Sequence, residues 1–241
     1  MKRYFKNRLL RGLRFRLILL VLVAIIPALL LIIYNSAEQQ RLSAMQARES
    51  ALKLARSSAS SHEQLLEGAR QLLLALSQLA QLQAGDMADC TPILVTLVSQ
   101  YPSYLNLGVI SPEGKVICSA LPLSGASIDV SDRPYYQQTI ATQAFTVGEY
   151  QASRLVGKPV LTLAHPVLNT RGDLTAIVFA GLDLTWLNEH NARASLATGA
   201  RLTVVDRRGT VLVDVPDSPG SVGQAMAQSS VRDRMLAESE G

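Results

Sequence analysis

The sequence has few of the residues that usually carry catalysis or bind metals. Its 241 residues include two cysteines, three histidines and one tryptophan, and aromatic residues make up only 5% of the chain. It lacks the H-E-x-x-H, G-x-S-x-G, P-loop and C-x-x-C strings of common active sites. Scattered histidines and two distant cysteines do not match the ligand spacing of a zinc site. We therefore expect no catalytic site, no metal and no cofactor in this chain.

Acidic residues are missing from the first sixteen positions, which hold seven lysines and arginines. The rest of the chain has 16 basic and 19 acidic residues, so the net charge of +4 arises at this end alone. A nucleic-acid-binding protein would carry its basic residues on a folded surface, and this distribution argues against that function. Positive residues beside a membrane span stay in the cytoplasm. We read residues 1–16 as a cytoplasmic basic tail.

Polar side chains are also absent from the next seventeen residues, 17–33. As a helix this run is about 25 Å long, just enough to cross the hydrocarbon core. A cleaved signal peptide would have an apolar core of only about 7–15 residues. We predict an uncleaved transmembrane helix at 17–34 in a bacterial inner membrane. The residues from about 36 onward would then lie in the periplasm or outside the cell.

Residues 37–84 contain no proline and a single glycine, which favours one long helix. Apolar side chains recur every seven positions at Met45, Leu52, Ala59, Leu66 and Leu73. We predict a stalk helix at 35–84 that continues out of the membrane and could pair with a second copy in a homodimer.

Apolar runs alternate with proline- and glycine-containing turns after the stalk. They predict a helix from Thr91 to near Gln100, strands at 105–110 and 115–120, a helix at 133–142, strands at 146–151, 160–168 and 174–182, and a helix at 183–196. A helix-like tail covers 222–237.

One strand–turn–strand pattern occurs twice. Residues 202–213 match residues 107–118 at a constant offset of 95, with a four-residue turn that ends in glycine in both. An internal repeat indicates tandem modules. We predict a first α/β module at 85–196 and the start of a second at 197–241. The second lacks the later strands of the first, so either the protein continues beyond residue 241 or its second module is incomplete, and we favour the first interpretation.

Both cysteines, Cys90 and Cys118, lie in the part predicted to be exported. An even number in an oxidising compartment favours one disulfide. Two buried free thiols are the alternative.

Several strings together resemble the double Cache family of bacterial extracytoplasmic sensor domains. They are Asp132-Arg133-Pro134-Tyr135-Tyr136, Gly148-Glu149-Tyr150, Ser153-Arg154-x-x-Gly157-Lys158-Pro159-Val160 and Gly181-Leu182-Asp183-Leu184. The resemblance covers residues 35–237. It implies an α/β (α+β) fold in which an anchor helix runs into a long helix, followed by tandem PAS-like antiparallel-sheet modules, the second incomplete. Such domains sit on histidine kinases, diguanylate cyclases or chemoreceptors.

The amino-acid-binding branch of that family implies a set of ligand-binding residues. Arg133 would hold a carboxylate, since guanidinium and carboxylate form two parallel hydrogen bonds. Tyr135, Tyr136 and Tyr150 would form the wall, and Asp183 would hold an amino group. Tyr135 stands where that branch prefers tryptophan. Alternatively, Arg133 and Asp183 form a structural ion pair and the tyrosines belong to the core.

These patterns favour a ligand-sensing domain of a membrane-anchored receptor that binds a small carboxylate or amino acid. The alternative is an anchored exported protein, with a structural or enzymatic role, that only borrows the fold.

Overall fold

The computed structural model of the chain describes residues 13–83, 90–123, 128–192, 199–216, 218 and 220–237. Its helices and strands are α1 (Leu13–Ser77), α2 (Ala80–Gln83), α3 (Cys90–Gln100), β1 (Tyr104–Ile110), β2 (Val116–Ser119), α4 (Pro134–Thr142), β3 (Thr146–Ala152), β4 (Pro159–Leu168), β5 (Leu174–Asp183), α5 (Leu184–Ala192), β6 (Leu202–Val205), β7 (Val211–Val215) and α6 (Ser230–Ala237). The mixed α/β class expected from the sequence is confirmed. Its central strands begin and end within two residues of their predicted bounds.

The helix α1 covers the predicted membrane span and most of the predicted stalk. Residues up to Ser58 belong to one compact unit, and the chain from Ala59 onward forms another. In the first unit, Leu20 and Val23 are 73% and 64% exposed. No helix within the described ranges is long and apolar enough to cross a membrane, so the span predicted at 17–34 is not confirmed. Most of the basic tail, residues 1–12, lies outside the described residues.

The predicted long helix ends before residue 84. The Gln78 amide donates to the Ala75 carbonyl at 3.2 Å, and the Leu79 amide donates to the Leu76 carbonyl at 3.1 Å. These three-residue bonds replace the α-helical pattern and end α1 at Ser77. The predicted last residue of the stalk, residue 84, lies outside the described residues.

Five antiparallel strands form the main sheet, in the order β2-β1-β5-β4-β3. The central pair aligns Leu163 with Ala180 and Ala164 with Phe179. Because side chains alternate along a strand, neighbouring residues face opposite sides of the sheet. Both faces of β4 and β5 are buried, which explains why these strands read as continuous apolar runs.

Two apolar clusters cover the two faces of the sheet. On one face, Ala69 and Leu73 of α1 and Leu94 of α3 pack against the strands. On the other, Tyr135 and Tyr136 of α4 pack with buried side chains of β1, β4 and β5. The apolar second half of the long helix therefore covers the sheet, as its sequence predicts.

A separate two-stranded sheet, β6-β7, follows α5. The helix predicted at 222–237 is wrong in its first half, because α6 begins only at Ser230. Residues before it lie extended beside the hairpin: the Val211 amide donates to the Gln224 carbonyl at 2.9 Å, and the Met226 amide donates to the Gly209 carbonyl at 2.8 Å. Backbone pairing with the hairpin thus prevails over helix propensity here.

Candidate functional site

A small recess lies on the α4 side of the main sheet, with about 480 Å³ of empty space that includes the open solvent at its mouth. Its floor comes from β1, β4 and β5. The loop before α4, the end of β3 and the β3–β4 loop form its walls. Gly148 lets α4 approach β3, since a Cβ there would lie 2.7 Å from the Thr162 carbonyl oxygen and 3.1 Å from Cβ of Tyr135. The fold thus closes a small recess at one end of the sheet.

Arg133 lines this cavity from the first residue before α4. Pro134 follows it and favours the extended backbone observed, φ −78° and ψ 132°. The arginine side chain makes no helix-capping bond. Its Nη2 donates to the Ala152 carbonyl at 3.4 Å, a long hydrogen bond that leaves most of the guanidinium hydrogens available to a ligand.

Arg154 is a second guanidinium on the same cavity, and it was not among the predicted site residues. It forms a two-point pair with Asp132, with Nη1–Oδ1 2.8 Å and Nη2–Oδ2 2.6 Å, and it also donates to the Asp129 carbonyl. Hydrogen bonding from Arg154 lowers the pKa of Asp132 below its usual value. The pair ties the loop before α4 to the β3–β4 loop at the mouth of the cavity. Its only sequence signal was the Ser153-Arg154 string, 22 residues from Asp132.

The three predicted tyrosines lie in different places. Tyr135 is buried and lines the cavity, and burial raises its pKa to about 12, so its phenol stays neutral. Tyr136 points away and donates its hydroxyl to the Pro112 carbonyl at 2.7 Å. The ring of Tyr150 lies against Gly223. The backbone amide of Tyr150 donates to Oδ2 of Asp206 at 3.2 Å. Only Tyr135 lies where a ligand in this cavity would touch it.

Asp183 lies at the end of β5 and caps the next helix. Its Oδ1 accepts the amides of Thr185 at 2.8 Å and Trp186 at 3.2 Å, as an N-cap aspartate does. Its Oδ2 lies 3.9 Å from Nζ of Lys158. Its ionic partner among the described residues is therefore Lys158 and not Arg133, so the alternative Arg133–Asp183 pair is not formed.

The cavity is also lined by neutral polar residues that were not among the predicted site residues; they are Asn106, Gln151, Ser153 and Thr162. Gln151 of β3 donates its Nε2 to the hydroxyl of Thr162 on β4. Asn106 of β1 is buried and bonds to Ser119, with Nδ2–Oγ 3.0 Å. Such residues look like ordinary strand residues in a sequence, and only the pairing of the strands brings them together.

Cys90 and Cys118 form a disulfide in this structure, with their Cα atoms 6.3 Å apart. It links the first residue of α3 to β2, on the sheet face opposite the cavity.

A second, largely apolar cavity lies between α1, β3 to β5 and the β6–β7 hairpin, with about 840 Å³ of empty space that includes open solvent. His62 lines it, with Nε2 3.2 Å from Nδ2 of Asn191. Burial, followed by the nearby His190, lowers the pKa of His62. A single histidine in an apolar wall does not by itself suggest a site.

The Cache domain family model, in its double-Cache form, matches residues 35–241 of this chain. The chain belongs to the Cache domain family. Among curated proteins it is similar to sporulation kinase D of Bacillus subtilis, with 21% identity over 207 residues. That match covers 86% of this chain and 40% of the kinase, so the chain spans less than half of that relative's length.

Solved Cache structures share the fold at low sequence identity. The extracellular domain assigned to the histidine kinase rpHK1S-Z16 has a TM-score of 0.70, with 17% identity and 80% of each chain covered. The ligand-binding domain of the Pseudomonas aeruginosa chemoreceptor PctB, in complex with L-Arg, has a TM-score of 0.57 and 21% identity, with 71% of each chain covered. That of the Campylobacter jejuni chemoreceptor Tlp3, with 4-methylisoleucine, gives 0.58 and 15%, covering 76% of this chain and 73% of that one.

Proposed function

We propose that this Cache domain is the extracytoplasmic ligand-sensing part of a membrane-anchored signalling receptor, of the histidine kinase, chemoreceptor or diguanylate cyclase type. Its ligand is a small carboxylate or amino acid. The observation that carries this proposal is the Arg133 guanidinium, which lines a cavity and makes one long hydrogen bond to a backbone carbonyl. Chemoreceptor domains with this fold bind amino acids in the PctB and Tlp3 complexes.

The test is calorimetric titration of amino acids and organic acids into the full chain in detergent. Loss of one partner of a charged pair typically costs about 2–5 kcal/mol, or roughly 30- to 5000-fold in affinity. Arg133→Ala should therefore abolish binding. Arg133→Lys should not restore it, because an ammonium cannot make the two-point contact.

A matched control is Arg171→Ala, since Arg171 is 83% exposed on the β4–β5 turn and should leave affinity unchanged. A ligand whose affinity survives Arg133→Ala would show that the site lies elsewhere.

Anchoring in the membrane is part of this proposal. Seven unbalanced positive charges precede the apolar run at 17–33, and its described side chains are exposed. A reporter-fusion topology map should place Ser131 outside the cytoplasm. A cytoplasmic Ser131 would contradict the anchor and the export together.

Signalling requires two arrangements of the protein that a ligand can bias. The seven-residue spacing of Met45 and Leu52 allows a homodimer along α1, and Met45 is 68% exposed. Sedimentation should detect dimers of the full chain. A chain that stays monomeric at high concentration, with or without ligand, would exclude a homodimer contact along α1.

The Cys90–Cys118 bond is expected in the exported protein and would stabilise it by about 3 kcal/mol in the chain-entropy model. Mass spectrometry of membrane-purified protein should recover the two peptides linked. Two thiols that alkylate without reductant would exclude the bond.

A further inference from the structure

We infer that the cavity takes a monocarboxylate without an ammonium group, in preference to an α-amino acid. This inference rests on the proposed carboxylate site and narrows its ligand. It comes from the charges that line the cavity and from the partners of the nearby acids.

The charged side chains lining the cavity, among the described residues, are the two guanidiniums of Arg133 and Arg154. No aspartate or glutamate in the described part of the chain lines it. Residues 124–127, which precede Ile128 in the sequence and lie outside the described residues, are Ser, Gly, Ala and Ser and include no carboxylate. An ammonium bound here would therefore meet two guanidiniums in the cavity wall, one of them paired with Asp132, and no carboxylate among the described residues that line the cavity.

The acids close to the cavity already have partners. Both carboxylate oxygens of Asp132 accept from Arg154. Asp129 uses Oδ1 to accept the Ser131 amide at 2.8 Å. Asp183, the predicted ammonium partner, caps α5 and lies beside Lys158. Recruiting Asp132 to an ammonium would compete with its two-point pair to Arg154, and neither Asp129 nor Asp183 lines the cavity.

The same contacts fix the charge that the ligand must carry. Asp132 balances Arg154, so the cavity has one unbalanced positive charge, that of Arg133. One carboxylate neutralises it. A second carboxylate would have to displace Asp132 from its two-point pair.

The remaining walls indicate the chemistry of the ligand's tail, beyond its carboxylate. Val116, Val160 and Phe179 are apolar, whereas Gln151 and Thr162 offer neutral polar groups. Gln151 could offer an ammonium only a neutral oxygen, which accepts a hydrogen bond but does not balance the positive charge. A short apolar or hydroxylated tail fits these walls better.

The experiment compares acids with their 2-amino counterparts by calorimetry on the full chain: propionate with L-alanine, 3-methylbutanoate with L-valine and 4-methylpentanoate with L-leucine. Since an ammonium without a charged partner loses its hydration uncompensated, we expect the acid of a binding pair to have at least about tenfold higher affinity.

Gln151→Glu supplies the missing carboxylate in nearly the same shape, and the Thr162 hydroxyl can rotate to donate to it. We expect this variant to shift the affinity ratio at least about tenfold toward the amino acid. Gln138→Glu makes the same charge change on the exposed side of α4, outside the cavity, and should leave the ratio unchanged.

The outcomes separate this inference from the proposed function. An amino acid that binds as tightly as its acid, with binding lost in Arg133→Ala, would overturn the inference and keep the carboxylate site. An unchanged ratio in Gln151→Glu would overturn it as well. Absence of binding by both classes up to about 10 mM would remove the proposed carboxylate site itself, and the inference with it.

Discussion

The hairpins β1–β2 and β6–β7 make the same turn, although one belongs to the main sheet and the other to the separate two-stranded sheet. The Ser111 amide donates to the Lys115 carbonyl at 2.8 Å, and 95 residues later the Asp206 amide donates to the Thr210 carbonyl at 2.9 Å. In each turn the first side chain accepts backbone amides two and four residues further on. Local sequence therefore determines this turn wherever it occurs.

The hairpins differ in what their turns contact. The Tyr136 hydroxyl holds the first turn at Pro112. In the second, Asp206 uses one carboxylate oxygen for its own turn and the other to accept the Tyr150 amide of β3. A serine hydroxyl at this position has no second oxygen to offer. The change from Ser111 to Asp206 thus turns a simple hairpin into one that docks on the strand that also lines the cavity.

The largest difference is expected when alanine replaces the last turn residue, Gly114 or Gly209. Both have positive φ, 87° and 78°, which costs a side-chain-bearing residue about 1–2 kcal/mol. A Cβ on Gly114 would also lie 2.8 Å from Cα of Ser131, whereas on Gly209 it meets the end of the Arg232 side chain, which can move. We expect Gly114→Ala to lower the free energy of unfolding by about 3 kcal/mol and Gly209→Ala by about 1–2 kcal/mol. Urea unfolding followed by circular dichroism measures both free energies. Equal losses would show that the backbone at Ser131 moves to accommodate the added Cβ, contrary to this prediction.

The second comparison concerns Val109 and Val204, which occupy matched positions in the repeat. Val109 is fully buried between the sheet and its helices, and Val204 is only half-buried. Losing two buried carbons and leaving a cavity should make Val109→Ala cost about 2–3 kcal/mol, against about 1 kcal/mol for Val204→Ala. The same unfolding measurement checks it. A larger loss at Val204 would mean that the second sheet is the better packed of the two.

Sequence patterns located the secondary structure because the signals are local. Apolar runs between glycine- and proline-containing turns predicted the positions of β3, β4 and β5. The repeat at an offset of 95 predicted that the two hairpins are alike. The helix expected at 222–237 failed because the pairing of Gln224 and Met226 with β7 and its turn is a tertiary contact. Strand order also depends on such contacts, and the sequence patterns did not predict it; the family resemblance implied only that the sheets are antiparallel.

The candidate site was only partly predictable for the same reason. Arg133 and Tyr135 line the cavity because the loop before α4 sits at its mouth. Tyr136 is next to Tyr135 in sequence, but successive helix positions point in directions about 100° apart. The roles of Arg154 and Asp183 depend on partners, respectively a distant Asp132 and the amides of α5, that no single string reveals.

The contact between the second hairpin and β3 can be removed by replacing Asp206 with serine, the residue at the matched position of the first hairpin. Asp206→Ser keeps an oxygen for the Arg208 and Thr210 amides but loses the acceptor for the Tyr150 amide. We expect a stability loss of about 1–2 kcal/mol. Hydrogen exchange should accelerate by at least about tenfold at Tyr150 while Thr210 stays protected. Unchanged protection at Tyr150 would show that this bond does not hold β3 to the hairpin.

The smallest difference between the two hairpins is expected in how their stability responds to acid. It arises from a pair of residues that also repeats at an offset of 95. Asn106 and Ser119 bond across the first hairpin, and Arg201 and Asp214 do so across the second, with Nε–Oδ1 2.6 Å. Hydrogen bonding from Arg201 lowers the pKa of Asp214 below its ordinary value. The stabilisation is therefore complete above the ordinary aspartate pKa of about 4 and is lost as pH falls through the lower folded-state pKa. Because the Arg201 side chain is 55% exposed, solvent screens the pair and the effect is small.

We expect amide exchange in β6–β7, corrected for its intrinsic pH dependence, to rise relative to β1–β2 as pH falls from about 5 to about 2.5. The neutral Asn106–Ser119 pair does not titrate in this range, so the first hairpin serves as the internal reference. Asp214→Asn should abolish the additional pH dependence, because it removes the titrating group while keeping an oxygen that can accept from Arg201. If the additional pH dependence persists in Asp214→Asn, it comes from another carboxylate. The Arg201–Asp214 pair would then contribute no pH dependence that the neutral Asn106–Ser119 pair lacks.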